Sequence, residues 1–291
     1  MKVVPNKQLL QVLRCPICSA SMSLKRGSDG NAQSLLCEGM KRHCYDLASS
    51  GYVNLALPGK TDGGDSKEAV RARRDFLNLG YYAPAADALS EAVLRYANEK
   101  SGVVIDAGCG EGYYSERLAG KGFSVAGVDL SRPAVDSAAK RFSKEGRAEG
   151  FFGVASVYEL PFADESASAV VNVFAPCAER EFARVLKPSG ILAVMYAGPE
   201  HLMGLKQAIY EQVHENDGRA DLPCEMEKID EIRVRFDICV EGSEALSNLF
   251  AMTPYYWRTS REDGEKLKSL SSLATTVDMI IAIYQKRGER A

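Results

Sequence analysis

The sequence predicts an α/β protein: a doubly wound, mostly parallel sheet of seven strands, preceded by a small cysteine-rich headpiece. Three observations carry that expectation. From residue 103 onward, short apolar runs alternate with amphipathic stretches, as repeated strand–helix units do. A glycine-rich turn, Gly108-Cys109-Gly110-Glu111-Gly112, directly follows the first of those runs. And Cys15, Cys18, Cys37, His43 and Cys44 crowd the first 44 residues.

A chain of 291 residues has room for one large domain and one small one, and 46% hydrophobic with 26% charged residues is ordinary globular composition. No apolar run reaches bilayer length, and Met1 to Asn6 lack a signal-peptide core, so a cytoplasmic protein with no membrane partner is expected. Cysteines at CxxC spacing then favour metal over disulfide. The net charge of −3 is unevenly spread. Lys2, Lys7, Arg14, Lys25, Arg26, Lys41 and Arg42 against Asp29 and Glu38 give the first 44 residues +5, and the remainder −8. A basic headpiece on an acidic body can aim phosphates at one end of the molecule.

The headpiece, residues 1–57, reads as a zinc ribbon. Cys15 and Cys18 make one knuckle and Cys37 begins a second, with either His43 or the adjacent Cys44 completing four ligands around a structural zinc. Met22–Leu24 and Ser34–Leu36 read as strands of a hairpin turned by Gly27 to Asn31. So short a segment buries little core, and metal is expected to supply much of its folding free energy. Residues 58–80 read as a linker, rich in glycine and aspartate over Pro58 to Ser66, followed by a helix from Lys67 to Leu77 with Arg71 and Arg74 on one face. Residues 81–291 form the main domain, entered by a helix over about 82–97 whose Ala85, Leu89, Val93 and Tyr96 make one stripe.

Strands are expected at 103–107, 124–129, 151–155, 169–174, 190–197, 236–241 and 278–285, with Lys187 to Gly190 as a tight turn. The loop after the first strand can approach a ligand closely. Dinucleotide enzymes use GxGxxG there, but here the spacing is GxGxG, position 113 is Tyr, and Asp106 precedes the first glycine. Those features favour S-adenosylmethionine, whose ammonium Asp106 can attract. Asp129 ends the second strand, where a carboxylate can accept ribose hydroxyls, and Ser156 follows the third, at the adenine edge. Ser131 is a natural N-cap for a helix presenting Val135, Ala138 and Phe142 inward.

The whole chain resembles the RlmA (RrmA) family, the 23S ribosomal RNA guanine-N1 methyltransferases that include the tylosin-resistance enzymes. The resemblance rests on the Cys15–Cys18 knuckle, Gly51-Tyr52-Val53-Asn54-Leu55, Gly64-Asp65-Ser66 with Ala72-Arg73-Arg74, and Asp106 through Tyr114. It continues in Ala175-Pro176-Cys177, Gly198-Pro199-Glu200-His201-Leu202-Met203 and Met252-Thr253-Pro254-Tyr255-Tyr256-Trp257. It implies a class I S-adenosylmethionine-dependent methyltransferase fold, Rossmann-like, behind a zinc ribbon. It implies Cys15, Cys18, Cys37 and His43 as zinc ligands, and Tyr82, Glu111, Gly112 and His201 at the donor site beside Asp106, Gly108, Gly110 and Asp129. It also implies a homodimer whose paired zinc domains cradle an rRNA hairpin, with antibiotic resistance among the family's roles. One departure stands out: five residues separate Cys37 from His43 where the family usually has three, and Cys44 follows.

Methyl transfer from a sulfonium is an in-line displacement in which the enzyme mainly aligns the partners, and positioning can contribute about 7–11 kcal/mol. Guanine N1 must lose a proton, and no motif marks the base that takes it. Asn172 and the Ala175-Pro176-Cys177 loop stand where methyltransferases receive an acceptor, and Trp257 with Tyr255 and Tyr256 could stack a splayed-out base. A methyltransferase for a small molecule or another RNA shares the donor motif; the small-molecule case leaves the basic headpiece without a role. A noncatalytic RNA-binding regulator has no need of an intact Asp106–Gly112 loop.

Overall fold

The computed structural model describes residues 2–57, 64–216, 223, 226–260, 264, 266–267 and 269–286. Residues 58–63, the glycine- and aspartate-rich part of the expected linker, lie outside the described residues. The headpiece begins with helix α1 (Lys7–Val12), capped by the Asn6 side chain, which accepts from the Leu9 N–H. Strands β1 (Met22–Arg26) and β2 (Ala32–Cys37) form the expected hairpin, and β3 (Cys44–Asp46) adds antiparallel to β2.

Strand β4 (Val53–Asn54) comes from the Gly51–Leu55 stretch and joins the main sheet rather than the headpiece hairpin. Helices α2 (Lys67–Leu77) and α3 (Ala83–Tyr96) follow, the first capped by Ser66. Then come β5 (Val103–Ala107), α4 (Tyr113–Gly120), β6 (Ser124–Asp129), α5 (Arg132–Lys144), β7 (Phe151–Val154), β8 (Ala167–Val173), α6 (Glu179–Val185) and β9 (Leu186–Ala197). The chain closes with α7 (Met203–Ile209), β10 (Glu227–Glu241), α8 (Ser243–Ala251), a 3₁₀ turn (Pro254–Trp257) and β11 (Ser272–Gln285).

The main sheet runs β10-β11-β9-β8-β5-β6-β7-β4: the seven expected strands plus β4 at the edge beside β7. Only β11 opposes the rest, being antiparallel to both β9 and β10. β5 lies between β6 and β8, so the chain order reverses there and opens a crevice at the carboxyl ends of the strands. Three strands begin well before their expected starts. β9 starts at Leu186, because Lys187 to Gly190 bulge out of a strand already paired at Ala167↔Leu186. β10 begins nine residues early, since its exposed face carries Arg233, Arg235 and Asp237 in alternation with Ile232, Val234 and Phe236, as suits an edge strand. β11 begins at Ser272, and its first residues pair along β10 before reaching β9.

Alternate residues of each central strand feed two cores, one per face. Val104, Val125, Ala169 and Val171 meet α3, α4 and α5 on one side. Ile105, Val128, Val170 and Leu192 meet α6 and the headpiece on the other, where Leu9, Leu13, Met22 and Leu35 join the same core as Phe151 and Phe162. Backbone pairing reinforces the junction: Val4 bridges Glu149, Leu13 bridges Phe162, and Arg14 N–H donates to Pro161 O at 2.8 Å. Among the described residues no helix is long and apolar enough to cross a membrane.

Candidate active site and metal cluster

In the headpiece, Cys15, Cys18, Cys37 and His43 offer ligand atoms that all lie within 4.8 Å of one another. Cys18 Sγ is 3.3 Å from Cys37 Sγ and 3.7 Å from His43 Nδ1, and Cys15 Sγ is 3.4 Å from that nitrogen. A tetrahedral zinc with ~2.3 Å bonds to sulfur has S···S edges of about 3.8 Å, so the group fits such an ion. The Gly39 N–H donates to Cys37 Sγ at 3.2 Å, and Tyr45 Oη sits 3.2 Å from Cys15 Sγ. Cys44 stands outside the group with its thiol exposed in β3. Adjacent residues of extended chain face opposite ways, and His43 is the one turned inward. Four such ligands would fill a tetrahedral ion's coordination and leave no open position.

The second centre lies at the β5/β6/β8 crevice. Gly108 and Gly112 take φ of +87° and +81°. A Cβ on Gly108 would stand 2.4 Å from Ala175 Cβ, and one on Gly112 2.8 Å from Ala138 Cβ, so only glycine lets the loop pass. Asp129 binds the loop from β6: its Oδ2 accepts the Gly110 N–H at 3.0 Å and its Oδ1 the Ser131 N–H at 2.8 Å. Asp106 is buried at the end of β5, with Oδ2 accepting from Ser115 Oγ at 2.5 Å and Oδ1 without a partner among the described residues. Burial, aided by the nearby charges of Glu111 and Asp129, pushes its carboxyl up to about 7 against the Ser115 hydrogen bond. Ala155 N–H donates to the Asp129 backbone O at 3.1 Å, tying the residue before Ser156 to the end of β6, and Ser156 lines a neighbouring cleft of about 700 Å³ whose wall includes neither Asp129 nor the glycine loop. The same cleft is lined across the way by Arg14, Cys15 and Pro16 of the headpiece.

Residues 104–190 match a family described as a methyltransferase domain. The chain is 32% identical to the 23S rRNA (guanine(748)-N1)-methyltransferase of Streptomyces fradiae, over 89% of this chain and 90% of that one. It is 30% identical to YxjB of Bacillus subtilis, assigned to the 23S rRNA (guanine-N1)-methyltransferases, over 94% and 97%. A Micromonospora griseorubida chain of the same assignment is 34% identical over 69% and 70%. The chain belongs to the 23S rRNA (guanine-N1)-methyltransferase family.

The donor of this family's chemistry is S-adenosylmethionine, and the crevice fits it. Asp106 Oδ1 is a buried acceptor lacking a donor, which an ammonium group would satisfy, and the glycine loop leaves its backbone open to close approach. Glu111 is buried on that loop, and burial pushes its carboxyl up. Tyr82 and His201, far apart in sequence, meet with Tyr82 Oη 3.3 Å from His201 Nε2. The Asp278 N–H donates to His201 Nδ1 at 3.3 Å, so a neutral ring carries its proton on Nε2 and directs it at Tyr82. Burial lowers the His201 pKa to about 4 despite Asp278. A ring so held orients Tyr82 and is a poor collector of protons.

Three further residues of this region stand outside the expected donor set. Ser115 is the fully buried partner of Asp106. Asp278 takes a bidentate pair from Arg233 (2.8 and 2.9 Å) and the Glu200 N–H, fixing the loop that bears His201; a lone acid inside the apolar run of β11 was its one visible signal. Arg73 pairs with Asp65 at 2.5 Å; burial opposes its charge, but Asp65, Glu111 and Asp129 outweigh it and raise its pKa. Gly64 packs on the Ser131 backbone and Ser131 Oγ donates to Asp65 O at 2.8 Å, so residues 64–66 roof the Asp129 end of the crevice. Arg71 and Arg74 both pair with Asp75 on an exposed face.

On the acceptor side, Asn172 is fully buried and its Nδ2 donates to Ala107 O (3.0 Å) and Pro176 O (3.1 Å), bolting the Ala175-Pro176-Cys177 loop to the end of β5. Asn172 therefore shapes this loop. Cys177 packs partly buried against the core. Trp257 is exposed, edge-on to Tyr256.

The Asp106 shift has a measurable consequence. Ordinary carboxyls ionise near 4, so between about pH 4 and 7 unfolding lets this one ionise and donor-free protein loses stability as pH rises. Donor binding, if it is through the Asp106 carboxylate, should strengthen over the same range. At pH 6 calorimetry should give affinity about tenfold below the plateau, with the acid limb centred near 7. Asp106→Asn should bind weakly and lose that limb; a flat wild-type profile from pH 5.5 to 7.5 would rule the assignment out.

Proposed function

We propose that this protein transfers the methyl group of S-adenosylmethionine to N1 of a guanine in a hairpin loop of 23S rRNA. The observation that carries the reading is likeness to relatives of that activity along nearly the whole chain, headpiece included. A small-molecule methyltransferase would leave that part of the likeness without a purpose.

When bound, S-adenosylmethionine supplies a methyl group already activated on a sulfonium. Asp106, Gly108, Gly110, Glu111 and Gly112 line the loop end of the crevice, Asp129 stands ready for ribose hydroxyls, and Ser156 marks the adenine edge. Tyr82 and His201 close the opposite side. In this reading Cys15, Cys18, Cys37 and His43 hold one structural zinc, and the basic headpiece grips RNA phosphate in a homodimer that cradles the hairpin. The target guanine must leave its stack to reach the crevice, where Pro176 and Trp257 are acceptor-side candidates.

Primer extension across 23S rRNA tests the reading, because a methyl on N1 blocks the Watson–Crick edge. Purified enzyme with S-adenosylmethionine should produce one new stop within a hairpin loop, dependent on both. If neither naked rRNA nor large ribosomal subunits give a stop while the protein binds its donor, the acceptor is something else.

A further inference from the structure

Phe174 combines two features that are unfavourable for a phenylalanine. Its ring is half exposed, 50% of the side chain open to solvent, directly after the fully buried end of β8. Its backbone sits at φ +49°, a left-handed conformation that bulky residues rarely adopt. A short apolar tether holds it there. Its own N–H donates to Met195 O at 3.1 Å, and the next residue, Ala175, packs on Gly108 of the donor loop. Two residues earlier, Asn172 fastens the same loop to β5. Strain and exposure confined to one residue at a ligand crevice point to a use for that residue.

The ring's inner face is already occupied. Phe174 stacks on His201 with centroids 5.9 Å apart and planes inclined by 29°, and His201 is in turn pinned by the Asp278 N–H and Tyr82. The stack is thus rigid from beneath, while solvent exposure leaves the aromatic surface available above. That is the architecture of a base-stacking platform: a flat π-face, immobilised in advance, beside the place where chemistry happens. Tyr158, Tyr256 and Trp257 are exposed as well, but among the described residues only Phe174 of these four aromatics stacks on His201.

We propose that Phe174 is the platform on which the flipped-out target purine stacks, setting its Watson–Crick edge towards the donor loop. The proposal rests on the rRNA reading above and adds to it the residue that receives the base. Phe174→Leu, Phe174→Ala and Phe174→Trp are compared with wild type for kcat/KM on the rRNA hairpin and for donor Kd. Loss of the π-face in the Leu and Ala variants should lower kcat/KM by ~5- to 150-fold, the worth of one base–aromatic stack. Phe174→Trp should stay near wild type, and all three should keep donor Kd within about threefold, a stack-sized loss in kcat/KM alone being what base stacking predicts. A Leu variant as active as wild type overturns the platform, since apolar bulk alone would then suffice. So does a donor Kd that weakens in step with activity, which would make Phe174 a cover for His201. Wild type giving no stop at all sinks the rRNA reading and this proposal together, whereas the variant results above sink this proposal alone.

Discussion

Chelation of the headpiece metal, or Cys37→Ser, is expected to reduce rRNA methylation by more than about a hundredfold while leaving donor affinity nearly intact. Structural zinc in small modules contributes apparent free energies of roughly 10–16 kcal/mol, far more than a three-stranded hairpin sheet of this size can obtain from its own packing. The cluster draws on three separate segments: the Cys15–Cys18 knuckle, the end of β2 at Cys37, and His43 before β3. Without the ion the three thiols and the imidazole lose their common partner, and the segments are left with the β1–β2–β3 pairing and their packing on the main core. The donor crevice, by contrast, is built from β5, β6 and β8, whose core includes none of the four side chains on its α3–α5 face. Metal analysis should give one zinc per chain, and hydrogen exchange should show residues 15–46 losing protection on chelation while β5 and β6 keep theirs. Metal-free protein with full rRNA activity would refute the assignment.

Asp129→Ala is expected to weaken donor binding by about 100- to 1000-fold. The carboxylate holds two backbone donors, one on either side of the crevice, at 3.0 and 2.8 Å. Its removal leaves the Gly110 and Ser131 N–H groups without their acceptor, at about 1–3 kcal/mol each, and deletes the acceptor proposed for the ribose hydroxyls. Asp129→Asn retains one acceptor oxygen and should fall between, at about tenfold, since a neutral amide makes weaker hydrogen bonds than a carboxylate. Calorimetric titration with donor, alongside thermal unfolding of each variant, separates the binding loss from the stability loss. An Asp129→Ala protein that binds donor as wild type does would mean the ribose is held elsewhere.

How far the sequence foretold this molecule depended on how local each feature is. Strands β5 and β6 match their expected limits because an apolar run, a glycine turn and an acidic end are all contiguous. β10 was read short because alternating arginines and acids on an edge strand dilute the apolar signal, although Ile232, Val234, Phe236 and Ile238 keep a period of two. The glycine loop and Asp129 stood out for the same reason as the strands: their residues are neighbours in the chain. Tyr82 and His201 could be named only through family likeness, since 119 residues separate them and their contact exists only in the folded chain. Ser115 and Phe174 lack any local mark: a serine in a helix and a phenylalanine ending a strand look ordinary until the loops converge, and Arg73, though part of the Ala72-Arg73-Arg74 likeness, shows its place at the crevice only through its pairing with Asp65. Which of His43 and Cys44 turns inward depends on strand phase, which spacing does not reveal.

The pairing of β4 with β7 imposes an order on biosynthesis. Val53 lies against Gly153, and Leu13 bridges Phe162, so the cysteine-rich amino terminus leaves the ribosome well before the strand and loop that dock it. At ~5–20 residues per second that interval lasts about 5–30 s. During it Cys15, Cys18 and Cys37 are nascent thiols open to a metal ion, and Leu9, Leu13 and Leu35 lack the main-sheet face they later cover. If the cluster takes up its ion in that interval, metal capture would precede completion of the parallel sheet, which then closes over a headpiece already shaped.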